Sequence, residues 1–348
     1  MPPSAPSGTH RRFNPLVAEW VLCSPQRLAR PWHGLEEAVA DVPPAFDQAC
    51  YLCPGNQRAS GARNPTYTST FVFDNDFPAL SPVPSPCGEA AHRLLRHESA
   101  TGICRVMCFS PRHDLCFARL PDTERQAVID AWCDQTRDLG GRKSIAHVQL
   151  FENRGLQMGC SNPHPHGQIW ATNHVPSLPA RKVATQQDYE RATGRDLLGD
   201  YIEEELRRRD RLVCENEMWL AVVPFWAVWP FEVLLAPRRL VADLPGLVEA
   251  ERSALADLVA RIQSRYDNLF RTPFPYSMGW HQRPFDGRPY PGWRLHASFT
   301  PPLLRSATVR KFLVGYELSA EPQRDLTAEE AAAILRSQLD HHYLGTST

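Results

Sequence analysis

Two stretches decide the fold: Ser110–Arg125 reads SPRHDLCFARLPDTER, and Ala236–Arg252 reads APRRLVADLPGLVEAER. In each, a strand-like run ends at Pro-Arg, and Ala-x-Leu-Pro then leads into an amphipathic helix. After each helix comes a strand pair that ends in a histidine-bearing segment. This is His164-Pro165-His166-Gly167 in the first half and His296-Ala297-Ser298-Phe299 in the second. An echo of that length predicts a duplication in which one copy kept the chemistry.

Working outward, strand-like runs at residues 20–22, 70–73, 103–109, 146–151 and 168–171 are rich in β-branched and aromatic residues and end at turn formers. Helices are expected over 123–137, 186–209 and 247–270, the second weakened by Gly194 and Gly199. Thr327 with Glu330 forms a capping box ahead of an alanine-rich helix, and Lys311 to Tyr316 reads as a strand. The expectation is an α+β fold: a flexible tail over residues 1–10, then halves at 11–178 and 179–348 forming one compact unit.

The 348 residues are 43% hydrophobic, enough for a substantial core, and 38 basic side chains nearly balance 39 acidic ones. That balance argues against broad electrostatic binding to nucleic acid or an anionic membrane, so phosphate handling must be local. The opening MPPSAPSGTH lacks the apolar run of a signal peptide, and no stretch reaches the roughly 20 apolar residues of a membrane span. Cytoplasmic residence is the expectation, and the ten cysteines then read as free thiols or metal ligands. The 32 prolines are scattered through apolar stretches and mark rigid turns and strand ends.

The densest chemical signal is Gly159-Cys160-Ser161-Asn162-Pro163-His164-Pro165-His166-Gly167-Gln168-Ile169-Trp170. In an extended backbone His164, His166 and Gln168 share one face, which is poor material for a core. The small residues around them suit a backbone that wraps a phosphate with its N–H groups. A neutral imidazole is a good nucleophile toward phosphorus if one nitrogen is anchored as a donor and the other is free. Gln168 can donate to a phosphoryl oxygen but cannot protonate a leaving group, so transfer to and from a sugar phosphate fits better than hydrolysis.

His164-Pro165-His166-Gly167-Gln168-Ile169-Trp170 resembles the active-site signature of the galactose-1-phosphate uridylyltransferase family, the transferase branch of the histidine-triad superfamily. The resemblance runs from Arg11-Arg12-Phe13-Asn14-Pro15-Leu16 to the segment from Pro302 to Phe312. It implies an antiparallel half-barrel flanked by helices, and a ping-pong exchange of UMP between UDP-glucose and galactose 1-phosphate through uridylyl-His166. It further implies that Asn75 and Asp76 hold ribose and uracil, and that Asn153, Gly159, Cys160, Ser161 and Gln168 hold the phosphates. Arg27 and Arg30 would lie near the phosphates and sugar. Lys311, Phe312, Val314, Tyr316, Glu317 and Gln323 would close over the sugar, in the family from the partner subunit of a homodimer.

Cys50-x-x-Cys53, followed by Pro54-Gly55, can present two thiolates to one ion. His113 and His164 are the candidates for the remaining ligands, and both match the family's zinc ligands. Such a closed shell makes the zinc structural. Cys104 and Cys108 suit core packing better. The resemblance also implies a second metal site, of which His281 and His296 are present. Lys182 stands in place of a carboxylate and Ser298 in place of a histidine, so this site is expected to hold no ion. Two other readings keep the same residues: a histidine-triad hydrolase or nucleotide phosphorylase, and a zinc-stabilised nucleotide-binding or regulatory protein without turnover.

Overall fold

The computed structural model describes residues 8–29, 43–88, 92–160 and 162–345. Of the expected tail, residues 1–7 lie outside them, whereas His10 already belongs to a strand. In chain order the first half comprises β1 (His10–Asn14), β2 (Glu19–Cys23), β3 (Phe71–Asp74), β4 (Gly102–Cys108), α1 (Asp122–Gly140), β5 (His147–Arg154) and β6 (His166–Thr172). Next come α2 (Ser177–Thr193), α3 (Leu197–Arg208), β7 (Leu212–Glu215), β8 (Trp219–Val222), β9 (Val233–Pro237), α4 (Glu249–Phe270), β10 (Tyr276–His281) and β11 (His296–Thr300). The chain closes with α5 (Tyr316–Ser319), β12 (Gln323–Arg324) and α6 (Ala328–Arg336).

Nine strands form one antiparallel sheet in the order β3-β4-β6-β5-β10-β11-β9-β8-β7. Read from the β5–β10 junction, the order is the same in both directions: β5, β6, β4, β3 on one side and β10, β11, β9, β8 on the other. The echoed helices α1 and α4 connect equivalent strands, β4 to β5 and β9 to β10. The duplication expected from Ser110 and Ala236 is thus written into the sheet. A second, three-stranded sheet, β1-β2-β12, joins the start of the chain to its end.

One face of the large sheet carries the main core. Alternate strand residues such as Val148, Leu150, Ile169, Ala171, Ala297 and Phe299 pack against Val128, Ile129 and Trp132 of α1 and Leu255, Leu258, Val259 and Ile262 of α4. The helical residues recur at three- and four-residue spacing, which puts them on one stripe. Each large aliphatic side chain buried there is worth about 1.5–3 kcal/mol. On the other face, Leu197, Leu198 and Ile202 of α3 cover Leu220, Val222 and Leu234 of the second half. The same face of the first half carries Cys50, Leu52, Cys53 and Tyr67 against Val106 and Cys108.

Two local expectations need correcting. The helix expected over 186–209 is two helices, and the first begins at Ser177 because Pro179, in its opening turn, has no intrahelical bond to lose. It ends where Gly194 turns left-handed at φ +71°. Gly199 does not weaken the second helix. A Cβ there would collide with the Asp196 carboxylate, at 2.4 Å, and that carboxylate caps the helix on the Gly199 amide. Lys311 to Tyr316 is not a strand: Arg310 makes a single bridge with Leu303, Gly315 takes φ +56°, and a short helical turn follows. Among the described residues no helix is long and apolar enough to cross a membrane.

Candidate active site

His166 opens β6 opposite Cys108 of β4, and the alternation of the strand then divides its side chains. Gly167, Ile169 and Ala171 face the core, and His166, Gln168 and Trp170 face the other way, partly exposed. Gly167 is required: a Cβ there would come within 3.0 Å of the Phe151 carbonyl oxygen and 3.1 Å of the Phe109 ring. His164, two residues earlier, lies before the strand begins and is buried, so the shared face expected for all three polar residues holds only for His166 and Gln168.

His164 instead joins a cluster of donors. The chain from Asp47 turns tightly, with Cys53 N–H bonded to the Cys50 carbonyl at 3.2 Å. The sulfurs of Cys50 and Cys53 and one ring nitrogen each of His113 and His164 all lie within 4.8 Å of one another, and all four residues are buried. Cys53 Sγ is 3.6 Å from Nδ1 of both histidines. An S–N edge of about 3.6 Å is what a tetrahedral ion with Zn–S near 2.3 Å and Zn–N near 2.1 Å requires. His164 Nε2 is 3.0 Å from both the Ser110 carbonyl and the Tyr67 hydroxyl, which itself donates to the Leu52 carbonyl. Nε2 therefore carries the proton, and the Nδ1 lone pair points at the sulfur. Burial pushes the Cys53 thiol up to about 11 and the His164 imidazole down to about 3, and lowers His113. An ion entering this cluster finds its imidazoles already neutral and displaces the thiol protons. All ten cysteines are free of disulfides, and Cys104 and Cys108 are core residues of β4.

The cluster connects directly to His166. The His166 Nδ1–H donates to the carbonyl of His164 at 2.7 Å, leaving Nε2 as the free nitrogen. Burial holds this imidazole below its ordinary pKa, against the opposing pull of the carbonyl, so it is neutral at pH 7. Gln168 is oriented by its neighbour: its carbonyl oxygen accepts the Trp170 indole N–H at 3.1 Å, which leaves the carboxamide NH2 to donate outward. Asn153 is set the same way, its Oδ1 taken by the Ser277 hydroxyl at 2.6 Å across the β5–β10 pair. Neither orienting contact is marked in the sequence, because the first depends on side-chain direction along β6 and the second on the register of β5 with β10.

The loop between β5 and β6 folds into a tight turn of its own. The amides of Met158 and Gly159 bond to the carbonyls of Gly155 and Leu156 at 3.0 Å, and Cys160 N–H to Gly155 at 3.3 Å. These three main-chain donors are thus engaged in the loop's own turn, with Gly155 and Gly159 supplying positive φ. Cys160 Sγ donates to the Asn162 carbonyl. Ser161 and Arg30 lie outside the described residues. Asn75 follows β3 and caps its own turn on Phe77 N–H, while Asp76 faces the Arg58 guanidinium at 3.6 Å. Arg27 is half-exposed and pairs with Asp325 at 3.2 Å. Lys311 bonds to Glu317 and to the Gln323 carbonyl, which ties its segment to the three-stranded sheet. Phe312, Val314 and Tyr316 are each more than half exposed there.

In the second half, His296 opens β11 as His166 opens β6, and its Nδ1 likewise donates to the carbonyl two residues back, Arg294, at 2.9 Å. His281 lies opposite it in register, with the rings stacked at 4.7 Å. The buried Lys182 of α2 brings its Nζ to 3.1 Å from His296 Nε2.

Comparison with known proteins agrees with this geometry. The family description for the N-terminal domain of galactose-1-phosphate uridyl transferase matches residues 4–176, and that for its C-terminal domain matches residues 182–347. A galactose-1-phosphate uridylyltransferase of Rattus norvegicus is 51% identical over 338 residues, covering 96% of this chain and 89% of its own. One from Haemophilus influenzae is 49% identical and covers 96% of this chain and 95% of its own. A solved uridylyltransferase superposes with a TM-score of 0.75 at 26% identity, covering 94% of this chain and 97% of its own. An Arabidopsis thaliana ADP-glucose phosphorylase, at 19% identity and a TM-score of 0.75, shares the fold. A neutral imidazole anchored on a donor cluster, in a duplicated sheet matched end to end by these relatives, places the chain in the galactose-1-phosphate uridylyltransferase family.

Proposed function

We propose that the chain exchanges UMP between UDP-glucose and galactose 1-phosphate, with His166 as covalent carrier. The observation that carries this reading is the Nδ1–H bond to the His164 carbonyl, which fixes the tautomer and leaves Nε2 to attack. Nε2 attacks the α-phosphorus of UDP-glucose. The bond from that phosphorus to the bridging oxygen breaks, and glucose 1-phosphate leaves with the electron pair. A phosphate oxygen of galactose 1-phosphate then attacks the same phosphorus, the P–N bond breaks, and UDP-galactose departs from a restored neutral imidazole.

While phosphorus is bonded to Nε2 the ring is cationic, and the His164 carbonyl, a dipole already in place, stabilises it without reorganisation. The free NH2 of Gln168 serves a non-bridging phosphoryl oxygen, where charge accumulates. A sugar phosphate leaves as an anion and needs no proton, which suits a glutamine that cannot supply one.

Cys50, Cys53, His113 and His164 would hold zinc. Four protein ligands leave no open position, so the ion would fix His164 and, through its carbonyl, His166. Asn75, Asp76, Asn153, Gly159, Cys160 and Ser161 are assigned to the nucleotide, and Arg27 and Arg30 to the phosphates and sugar. The exposed segment carrying Lys311, Phe312, Val314, Tyr316 and Glu317, with Gln323, would complete the sugar site of a partner copy in a cytoplasmic homodimer. The halves at 11–178 and 179–348 then act as one catalytic unit.

The test is peptide mapping by mass spectrometry after mixing the protein with UDP-glucose alone. A uridylyl adduct on His166, discharged by galactose 1-phosphate, is expected. An adduct that water removes as fast as the sugar phosphate does would favour a hydrolase, and no adduct on His166 would end the proposal.

A further inference from the structure

His296 is built like the nucleophile but faces something else. Its Nδ1 is anchored on the Arg294 carbonyl, so its Nε2 lone pair is the one left to find a partner. That partner is the Nζ of Lys182 at 3.1 Å, with His281 stacked alongside. Lys182 and His296 are both buried, the latter completely. Burial pulls the Lys182 amine down to about 7, partly offset by the charge of Glu232, which the Val228 and Trp229 amides hold.

The family resemblance implies a second metal among His281, His296, a carboxylate at position 182 and a histidine at position 298. The residues present do not fit one. Lysine brings three N–H donors and no lone pair when protonated, Ser298 supplies no imidazole, and the position beside His296 Nε2 is filled by Nζ.

We propose that the Lys182 Nζ occupies the ion's place in the second half, so that the His281–His296 pair is closed to divalent ions. A donor tethered to α2 replaces an ion drawn from solution, and it satisfies the same imidazole lone pair that the ion would take. This holds independently of which sugar phosphate the other site uses.

Zinc content after dialysis against zinc chloride and desalting tests it. Wild type and Lys182→Met should retain the same zinc, and Cys53→Ser should lose the zinc held by the Cys50 cluster. Lys182→Glu should gain a further zinc per chain and lose it again when combined with His281→Ala. A second zinc in wild type that disappears in His281→Ala would overturn the proposal, and so would a folded Lys182→Glu protein that gains none. Should Lys182→Glu fail to fold, nitrogen NMR of wild type decides. His296 should show a protonated Nδ1 and a bare, hydrogen-bonded Nε2 that zinc does not move, and a zinc-induced shift of its ring signals would overturn the proposal.

Discussion

The two halves of the large sheet hold the same histidine in the same way and put it to opposite uses. At the head of β6, His166 has its Nδ1 on a carbonyl two residues back and its Nε2 free; at the head of β11, His296 has the same anchor and the Lys182 Nζ on its Nε2. Anchoring therefore does not make a nucleophile. What separates the halves is the environment of the second nitrogen: a half-open strand face beside Gln168 in one, a buried lysine in the other. The most direct way to break this comparison is to remove each histidine in turn. His166→Gly should reduce uridylyl transfer by roughly 10⁴-fold or more, as removal of a covalent nucleophile does elsewhere. His296→Gly should leave the rate per folded molecule within a few fold. Equal losses in a transfer assay would mean that the second half takes part in the chemistry.

The next difference is that only the first half has Cys50 and Cys53 beside its histidine strand. Cys53→Ser removes one sulfur from a closed four-donor set, so metal content should fall to near zero in elemental analysis. Stability should fall on the order of 4 kcal/mol in denaturant unfolding, because binding energy of a structural ion is folding energy. Residual transfer in the folded fraction should exceed that of His166→Gly, since the Nδ1 anchor is main chain. A protein that keeps its stability when stripped by a chelator would show that the cluster is held by packing alone.

Gln168 sharpens the comparison further, since its place in the second half is taken by Ser298, as the pairs Phe151–Gln168 and Gly279–Ser298 show. A carboxamide presented to a developing phosphoryl charge is worth about 10²–10³-fold when removed. Gln168→Leu should lower the rate of His166 uridylylation by that order in rapid-quench measurements, with UDP-glucose binding changed far less. A change in binding alone would make Gln168 a ground-state contact.

How much of this could be read in the chain depends on whether a feature is local. The duplication showed because Pro-Arg and Ala-x-Leu-Pro are turn and helix-entry signals written in consecutive residues. The donor set could be assembled because Cys50-x-x-Cys53 is conspicuous in consecutive residues, and the family resemblance singles out His113 and His164 among thirteen histidines. The strands β7 and β8, at four residues each, are too short for alternation to be visible. The start of α2 was hidden because a proline inside a helix's first turn looks like a boundary. The Trp170–Gln168 and Ser277–Asn153 contacts orient both carboxamides of the site. They arise from side-chain direction and strand register, neither of which a linear pattern records.

One step past the Phe151–Gln168 and Gly279–Ser298 pairs, on the core side of the sheet, the first half buries Glu152 where the second buries Trp280. An ionisable group thus replaces an indole, and this difference is measurable by pH. Burial raises the Glu152 carboxyl to about 7, partly offset by the Arg154 guanidinium and the bond from the Tyr276 hydroxyl, with buried Asp267 adding to the rise. The folded protein therefore holds this proton more tightly than the unfolded chain, whose carboxyl titrates near its ordinary value of 4.5. The favourable contribution is full below the unfolded value and is lost as pH climbs through the folded one. Glu152→Gln keeps an acceptor for Tyr276 but cannot ionise, so the variant should gain on wild type as pH rises from about 4.5 to 7 and then hold level. The gain should be about 3 kcal/mol at most, from the size of the shift. Paired urea unfolding curves at pH 5 and pH 8 measure it, and the difference between the two proteins cancels every other titrating group. A gap that shrank with rising pH would mean that Glu152 is ionised and held by Arg154 in the folded state.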